Sequence, residues 1–388
     1  MPMKTPRRTI AQLGPAHPNR GGIVHFNNRL ALALQQRSDL NVRQYFWSKP
    51  YPELLLSGPA SEWLDHQSRE TLQVPGLRIL SFTNPLSWWS FLRRIRRDGC
   101  DILVTHWTHP IHFPVFAVLF TVIRLFTNIR IHLIAHNVMP HEKIIGAAWM
   151  ARTVMNLAHV VIVHSAAEHD VATKHLGISG KVRKSFHPVY DFFNMTEKKE
   201  QIRGKLKIES HVFLFFGFIR PYKGIDCLID AFEILQKKRN DVSLLIVGKN
   251  MYKKNSVFGR GKDNVTRSIN ANEKIIHIDE YVPNEDVGSY FSIADALVTP
   301  YHEASQSGPV QIAHALGKPV IASDLPAFRE CLEQGVSGRL FKPGDSEALA
   351  ETMDNFLRHP PGPDDRRPHS LRPGWDRYVE ILLDDAAK

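Results

Sequence analysis

The sequence predicts an α/β protein of two doubly wound, Rossmann-like parallel domains facing across a cleft. Three observations point there. Short apolar runs alternate with amphipathic helical stretches along the chain, the signature of parallel βα units. A length of 388 residues suits two domains at about 150 residues each. A polar, charged stretch at 194–207, carrying Glu197, Lys198, Lys199 and Glu200, divides the alternation into halves of nearly equal size. The expected domains are therefore 1–195 and 208–355, followed by a proline-rich tail and closing helix at 356–388.

In the first half, residues 9–13 read as a strand and 23–36 as the helix that follows it. Residues 101–104, 131–135 and 160–163 are short, apolar and flanked by turns or polar clusters, as buried strands are. The second half repeats the pattern. Strands are expected at 212–216, 243–247, 275–278, 296–298 and 319–322, and helices at 224–237, 284–292, 309–316 and from Asp345 onward. Residues 359–373 hold five prolines, which excludes regular structure there. A final helix reads at 375–384. In open parallel sheets ligands bind beyond the carboxyl ends of the strands, so the loops after these strands are the candidate sites.

Composition narrows the function. The chain is 43% hydrophobic and 23% charged, which excludes collagen, coiled coil and a mainly disordered chain. Its 49 basic and 39 acidic residues leave a formal charge of +10, suited to an anionic partner. Three scattered cysteines, Cys100, Cys227 and Cys331, form no disulfide framework and point to a reducing compartment. The N-terminal residues lack the apolar core of a secretory signal. The most apolar run, 113–123, is too short for a helix that must cross a bilayer in about 20 residues. The expectation is a cytoplasmic chain, free or held on the inner face of a membrane. Trp88, Phe91, Leu92 and Ile95 fall at helical spacing among Arg93, Arg94, Arg96 and Arg97. That pattern suits an anionic membrane surface, and equally a core-facing helix with a solvated basic face. No nucleic-acid fold signature accompanies it, so nucleic acid is not the expected partner.

Three loops carry candidate chemistry. Residues 14–22 (GPAHPNRGG) join the first strand to its helix. Gly21 and Gly22 would let backbone N–H groups approach a phosphate, or form a plain strand-to-helix turn. Their spacing is not the GxGxxG of nicotinamide enzymes. Residues 217–224 (GFIRPYKG) place two cations after a buried strand, where Arg220 can fork onto phosphate oxygens and Lys223 adds a compact charge. A solvated basic loop is the plainer alternative. Residues 301–311 offer Ser307 or Gly308 as a helix cap before Pro309, so free N–H groups would meet a phosphate or sugar hydroxyls. Simple helix capping is the competing explanation. His106, His109, His112, His132, His136 and His141 match no HExxH or Cys/His zinc spacing, so no metal site is expected. On a strand, His132 and His136 would share one face, with His136 at the open carboxyl end.

The second half resembles the retaining glycosyltransferases of GT-B fold, family four. The resemblance rests on residues 217–224, on 281–295 (YVPNEDVGSYFSIAD), on 298–301 (VTPY) and on 306–308 (QSG) with 317–323 (GKPVIAS). Glu330 and residues 335–338 (GVSG) continue it. It is strong over 212–344 and looser in the first half, through Gly21 and Gly22, 135–137 (AHN) and 163–165 (VHS). It implies a nucleoside diphosphate sugar held mainly by the second domain, with Arg220, Lys223 and the helix near Pro309 on the diphosphate. Gly21 and Gly22 would approach from the other domain, His136 and Asn137 would sit near the transferred sugar, and Tyr281 near the base. The family also implies retention of anomeric configuration, no metal, and a closing helix bracing the first domain.

The sequence departs from the family pattern in two places. Phe218 stands where many members carry arginine, which hands that role to Arg220. The two glutamates of many members fall on Ala304 and Ile312, with Glu303 and Gln311 one residue earlier. Either a one-residue loop adjustment brings Glu303 to the sugar hydroxyls, or Ser305, Gln306, Ser307 and Gln311 serve instead. The expected activity is transfer of a hexose-type sugar to a glycan or lipid-linked acceptor in polysaccharide or glycoconjugate synthesis. Two alternatives keep the fold: a catalytically silent nucleotide-sugar-binding protein and a sugar-nucleotide epimerase.

Overall fold

In the computed structural model, the described residues are 7–52, 64, 68, 74–140, 144–190, 193, 199–251, 262–362 and 374–384. His141, residues 194–198 of the expected linker and 363–373 of the proline-rich segment lie outside them. Contacts divide the chain into two units. Unit 1 takes the described residues up to 188, apart from Ser68, together with the last helix; unit 2 takes Ser68 and those from 189 to 362.

Unit 1 runs β1 (Arg8–Gly14), α1 (Gly22–Gln35), β2 (Leu40–Lys49), β3 (Leu77–Ser81), α2 (Pro85–Arg97), β4 (Ile102–Trp107) and α3 (Phe113–Phe126). It continues with β5 (Arg130–Ala135), α4 (Ala147–Leu157), β6 (Val160–Val163), α5 (Ala166–Asp170) and β7 (Val182–Lys184). The sheet is parallel throughout, in the order β3-β2-β1-β4-β5-β6-β7. Side chains alternate across it, as the two-residue strand period requires. Ala11, Leu13, Leu103, Trp107, Leu133, Ala135, Val161 and Val163 form one core with Phe91 and Ile95 of α2, Phe116 and Phe120 of α3, and Val154 of α4. The opposite alternation brings Gln12, Gln44, His106, His132 and His136 to the other face, all buried.

Unit 2 runs α6 (Lys199–Leu206), β8 (His211–Phe216), α7 (Ile225–Gln236), β9 (Val242–Val247), α8 (Lys262–Asn270), β10 (Ile275–Ile278), α9 (Asn284–Ile293) and β11 (Ala296–Thr299). After these come α10 (Gly308–Ala315), β12 (Val320–Ser323), α11 (Pro326–Glu333), β13 (Gly338–Phe341) and α12 (Ser346–Arg358). Its sheet order is β10-β9-β8-β11-β12-β13, again all parallel. Read within each unit, both sheets contain the order 3-2-1-4-5-6 of doubly wound dinucleotide-binding folds, and the strand order reverses between β1 and β4 and between β8 and β11. Phe213, Phe215, Phe232 and Phe291 are fully buried in the second core. Asp345 caps α12 by accepting the Ala348 N–H at 3.0 Å.

The last helix, α13 (Trp375–Leu383), belongs to unit 1 and packs against α1. Its Tyr378 hydroxyl lies 2.9 Å from His164 Nε2, and His132 Nδ1 donates to the Leu382 carbonyl at 2.7 Å. Among the described residues no helix is long and apolar enough to cross a membrane.

Candidate functional site

In unit 2 the loops after β8 and β11 meet at the reversal of strand order. The backbone leaves β8 through Gly217, reaches Arg220, and turns through a short 3-10 segment, Pro221–Lys223, into α7. Gly224 makes that turn at φ +63, and a Cβ there would stand 2.0 Å from the Pro300 carbonyl oxygen, so only glycine lets the two loops touch. The His302 N–H donates to Tyr222 O at 2.8 Å and ties them further. Lys223 is consequently 8% exposed, its ammonium 5.3 Å from the Tyr301 ring centre and 6.0 Å from that of Phe215. A Cβ built on Gly217 would lie 3.0 Å from Lys223 Nζ and 3.7 Å from Pro309 Cγ, which places the ammonium beside the start of α10.

Burial, reinforced by the positive charge of Arg220, pushes the Lys223 pKa down to about 7. An ammonium buried between aromatic rings and a second cation is held where an anion would relieve both the desolvation and the repulsion. The N-terminus of α10 adds its dipole at the same loop cluster. Ser307 is the N-cap residue of α10 by position, but its side chain makes no capping bond. Gly308 opens the helix, and Gln311 is buried with its amide 3.8 Å from Cys331 Sγ. Glu303 is exposed on the loop before α10. Tyr281 follows β10, its ring 6.3 Å from that of Phe218 and inclined by 35°. Arg220, Lys223, Ser307 and Gly308 thus converge on the β8–β11 crevice, while Tyr281 lies on the β8–β10 side.

Unit 1 has its own cluster at the β1–β4 reversal. Gly21 is the N-cap residue of α1 at φ +115, and Gly22 is its exposed first residue. His136 follows β5 immediately, 4% exposed, with its N–H on Trp107 O at 3.0 Å; Asn137 beside it is half-buried. Phe26 of α1 touches His106, His136, His164 and His187 and the rings of Trp375 and Tyr378, at centroid distances of 4.9–5.9 Å. Burial pushes His106 down to about 3 and His136 well below its ordinary value, so both are neutral near pH 7. Among the described residues no group of His, Cys, Asp and Glu side chains could hold a metal ion. The roles of Gln12, Asn27, His106, His164 and Tyr378 were not read from the sequence. The available signal was glutamine and histidine recurring inside otherwise apolar strands.

This fold and this placement of charge define the protein's class: it is an α/β protein of the GT-B fold. It resembles sucrose-phosphate synthase from Thermosynechococcus elongatus, with a TM-score of 0.69 and 18% identity over 97% of both chains. Anabaena HepE in complex with UDP matches with a TM-score of 0.66 and 17% identity, over 97% of this chain and 96% of that one. Residues 210–359 match the family described as glycosyl transferases group 1. The match spans all of β8 to α12, within unit 2. A phosphatidyl-myo-inositol mannosyltransferase of Mycobacterium leprae is 33% identical over 162 residues, which are 41% of this chain and 40% of that relative. The chain aligns with 40–50% of the length of the curated relatives it matches first.

Proposed function

We propose that the chain is a retaining hexosyltransferase that moves a sugar from a nucleoside diphosphate sugar to a hydroxyl of a glycan or lipid-linked acceptor. The observation that carries the reading is the buried Lys223 ammonium beside Arg220 and the start of α10. Negative charge grows on the departing diphosphate, and preorganised cations and N–H groups in a water-poor site stabilise it. Ser307, Gly308 and Gln311 line the phosphate and sugar side, Tyr281 the base side, and Glu303 is the carboxylate nearest by sequence to the sugar hydroxyls. Gly21, Gly22, His136 and Asn137 are assigned to the donor's diphosphate and sugar from unit 1. With retention, the acceptor attacks on the face from which the leaving group departs. No metal is assigned a part. The group 1 match, the UDP in the HepE complex and the lipid acceptor in the mannosyltransferase's name support this assignment.

The proposal extends to the inner face of an anionic membrane as the working place. On unit 1, Leu86 and Trp89 of α2, Leu125 and Phe126 of α3, and Trp149 of α4 are all more than half exposed. These helices are neighbours, and Arg93, Arg94, Arg96, Arg97 and Arg124 lie among those side chains in sequence. Apolar anchors interleaved with cations suit an anionic lipid surface.

The function is tested by thermal shift with UDP, GDP, ADP and their sugars, followed by transfer assays with lipid and glycan acceptors. A selective upward shift, lost in Lys223→Ala, is expected. Arg220→Ala should fold normally and lose about 10²–10³ in turnover, the usual cost of one such charged contact. Binding without transfer would favour a silent binding protein, and interconversion of nucleotide sugars without acceptor an epimerase. Near-normal turnover in either variant would remove that residue's assigned role.

A further inference from the structure

A hydrogen-bonded line crosses the α1 face of the unit 1 sheet on successive strands. Gln44 of β2 pairs in register with Gln12 of β1, and its Nε2 donates to Gln12 Oε1 at 3.0 Å. Gln12 Nε2 donates to Asn27 O at 2.8 Å and to Asn27 Oδ1 at 2.7 Å. His106 Nε2 of β4 lies 2.8 Å from the same Oδ1, and His106 Nδ1 lies 3.0 Å from His136 Nε2. Asn27 is fully buried on α1, and its oxygen occupies the space where a Cβ of residue 14 would be, 2.2 Å away. Gly14 is therefore required for Asn27 to stand there.

The line has a direction, because its amides are anchored on backbone carbonyls that only accept. Gln12 Nε2 reaches Asn27 O, and Asn27 Nδ2 donates to Pro15 O at 3.0 Å. Asn27 Oδ1 is thus an acceptor, and His106 must present Nε2–H to it. A neutral His106 then carries a lone pair on Nδ1, so the bond to His136 can form only if His136 Nε2 brings the hydrogen. We propose that His106, set by Asn27, is a positioning residue that fixes His136 as its Nε2–H tautomer and makes His136 Nδ1 the acceptor nitrogen turned to the transferred sugar. The last clause rests on the assignment of His136 to the sugar; the tautomer does not.

The test separates the two. With ¹⁵N-histidine, two-bond ¹H–¹⁵N correlation spectra of the full chain report which nitrogen of each ring holds hydrogen, and His136→Gln assigns the His136 signals. Wild type should show a pyrrole-like Nε2 and a pyridine-like Nδ1 for His136. In His106→Leu the single tautomer should be lost. In His106→Gln it should return, because that amide can accept from His136 and donate to Asn27. An Nδ1–H or mixed His136 in wild type would overturn the proposal, as would an unchanged pattern in folded His106→Leu. The wild-type spectrum decides even if that variant does not fold. Where transfer is measurable, kcat should fall at least about tenfold in His106→Leu with little change in donor KM, and recover in His106→Gln. A correct tautomer with unmoved kcat would retain the network and overturn the link to the sugar.

Discussion

Binding of a nucleotide sugar should consume a proton, and Lys223 is the reason. Its pKa of about 7 in the free chain leaves about nine-tenths of the side chains uncharged at pH 8. A diphosphate beside Nζ favours the ammonium and draws the proton back. Uptake should therefore approach about 0.9 proton per ligand at pH 8 and fall to about 0.1 at pH 6. Affinity should weaken up to about tenfold per pH unit above pH 7, which is about 1.4 kcal/mol per unit, until the pKa of the complex is reached. Calorimetry in buffers of different ionisation enthalpy measures the uptake directly. The nucleotide sugar is the ligand to use, because its diphosphate diester has no proton to exchange in this range, whereas the free diphosphate does. Lys223→Arg keeps a charge that does not titrate and should abolish the uptake. Uptake near zero at pH 8 in wild type, or undiminished in Lys223→Arg, would refute the placement of the diphosphate against Lys223.

Mild acid should unfold the chain more readily. His106 and His112 are buried, with pKa values pushed down to about 3 and about 4 from 6.5. Unfolded imidazoles then take up protons that the folded ones refuse, so stability is full above pH 6.5 and falls as pH drops towards 4. From pH 7.5 to 5 the pair should cost roughly 4 kcal/mol, read as a lower urea midpoint, and a flat profile would contradict their burial as neutral rings. Gly14→Ala and Gly224→Ala should each lower the melting temperature, by about 1–3 kcal/mol of overpacking, with added backbone strain only at Gly224. Equal melting of either variant and wild type would show that the crowding is relieved by movement. Co-sedimentation with anionic vesicles should occur at low salt, weaken as salt is raised, and weaken in Trp89→Ser with Trp149→Ser. No sedimentation at low salt would retire the membrane assignment.

Strands with long apolar runs were legible because they are buried on both faces. Residues 131–135 and 160–163 meet β5 and β6 within one residue, since Ile, Val and Leu there have no polar alternative to explain them. Residues 275–278 meet β10 as well, although that strand lies at the sheet edge and only Ile275 of it is buried. The structure adds β2, which the sequence reading lacks: Asn41, Arg43 and Gln44 interrupt its apolar pattern, although it lies inside the sheet between β3 and β1. The short β7 (VRK) and β13 (GRLF) are edge strands, each buried by one neighbour only, and need little apolar sequence. At the unit 2 site the Arg220–Lys223 spacing and the start of α10 were legible because both are local. What sequence could not supply was the contact of Pro300 and Tyr301 with the Gly217–Gly224 loop, made across about 80 residues. The line from Gln44 to His136 is harder still, because each member is satisfied by a residue on another element.

The position of α13 bears on how the molecule is made. Phe26, His132 and His164 are emplaced early in the chain, yet their partners Trp375, Tyr378 and Leu382 are synthesised about 185 residues after the rest of unit 1. At 5–20 residues per second, a ribosome leaves that buried polar face uncovered for roughly 10–40 s. Unit 2 is complete before unit 1 can close, so the order of maturation inverts the order of translation. During the interval the histidines and Phe26 lack the cover that α13 supplies, and a nascent chain stalled before Trp375 would carry a finished second unit and an open first one.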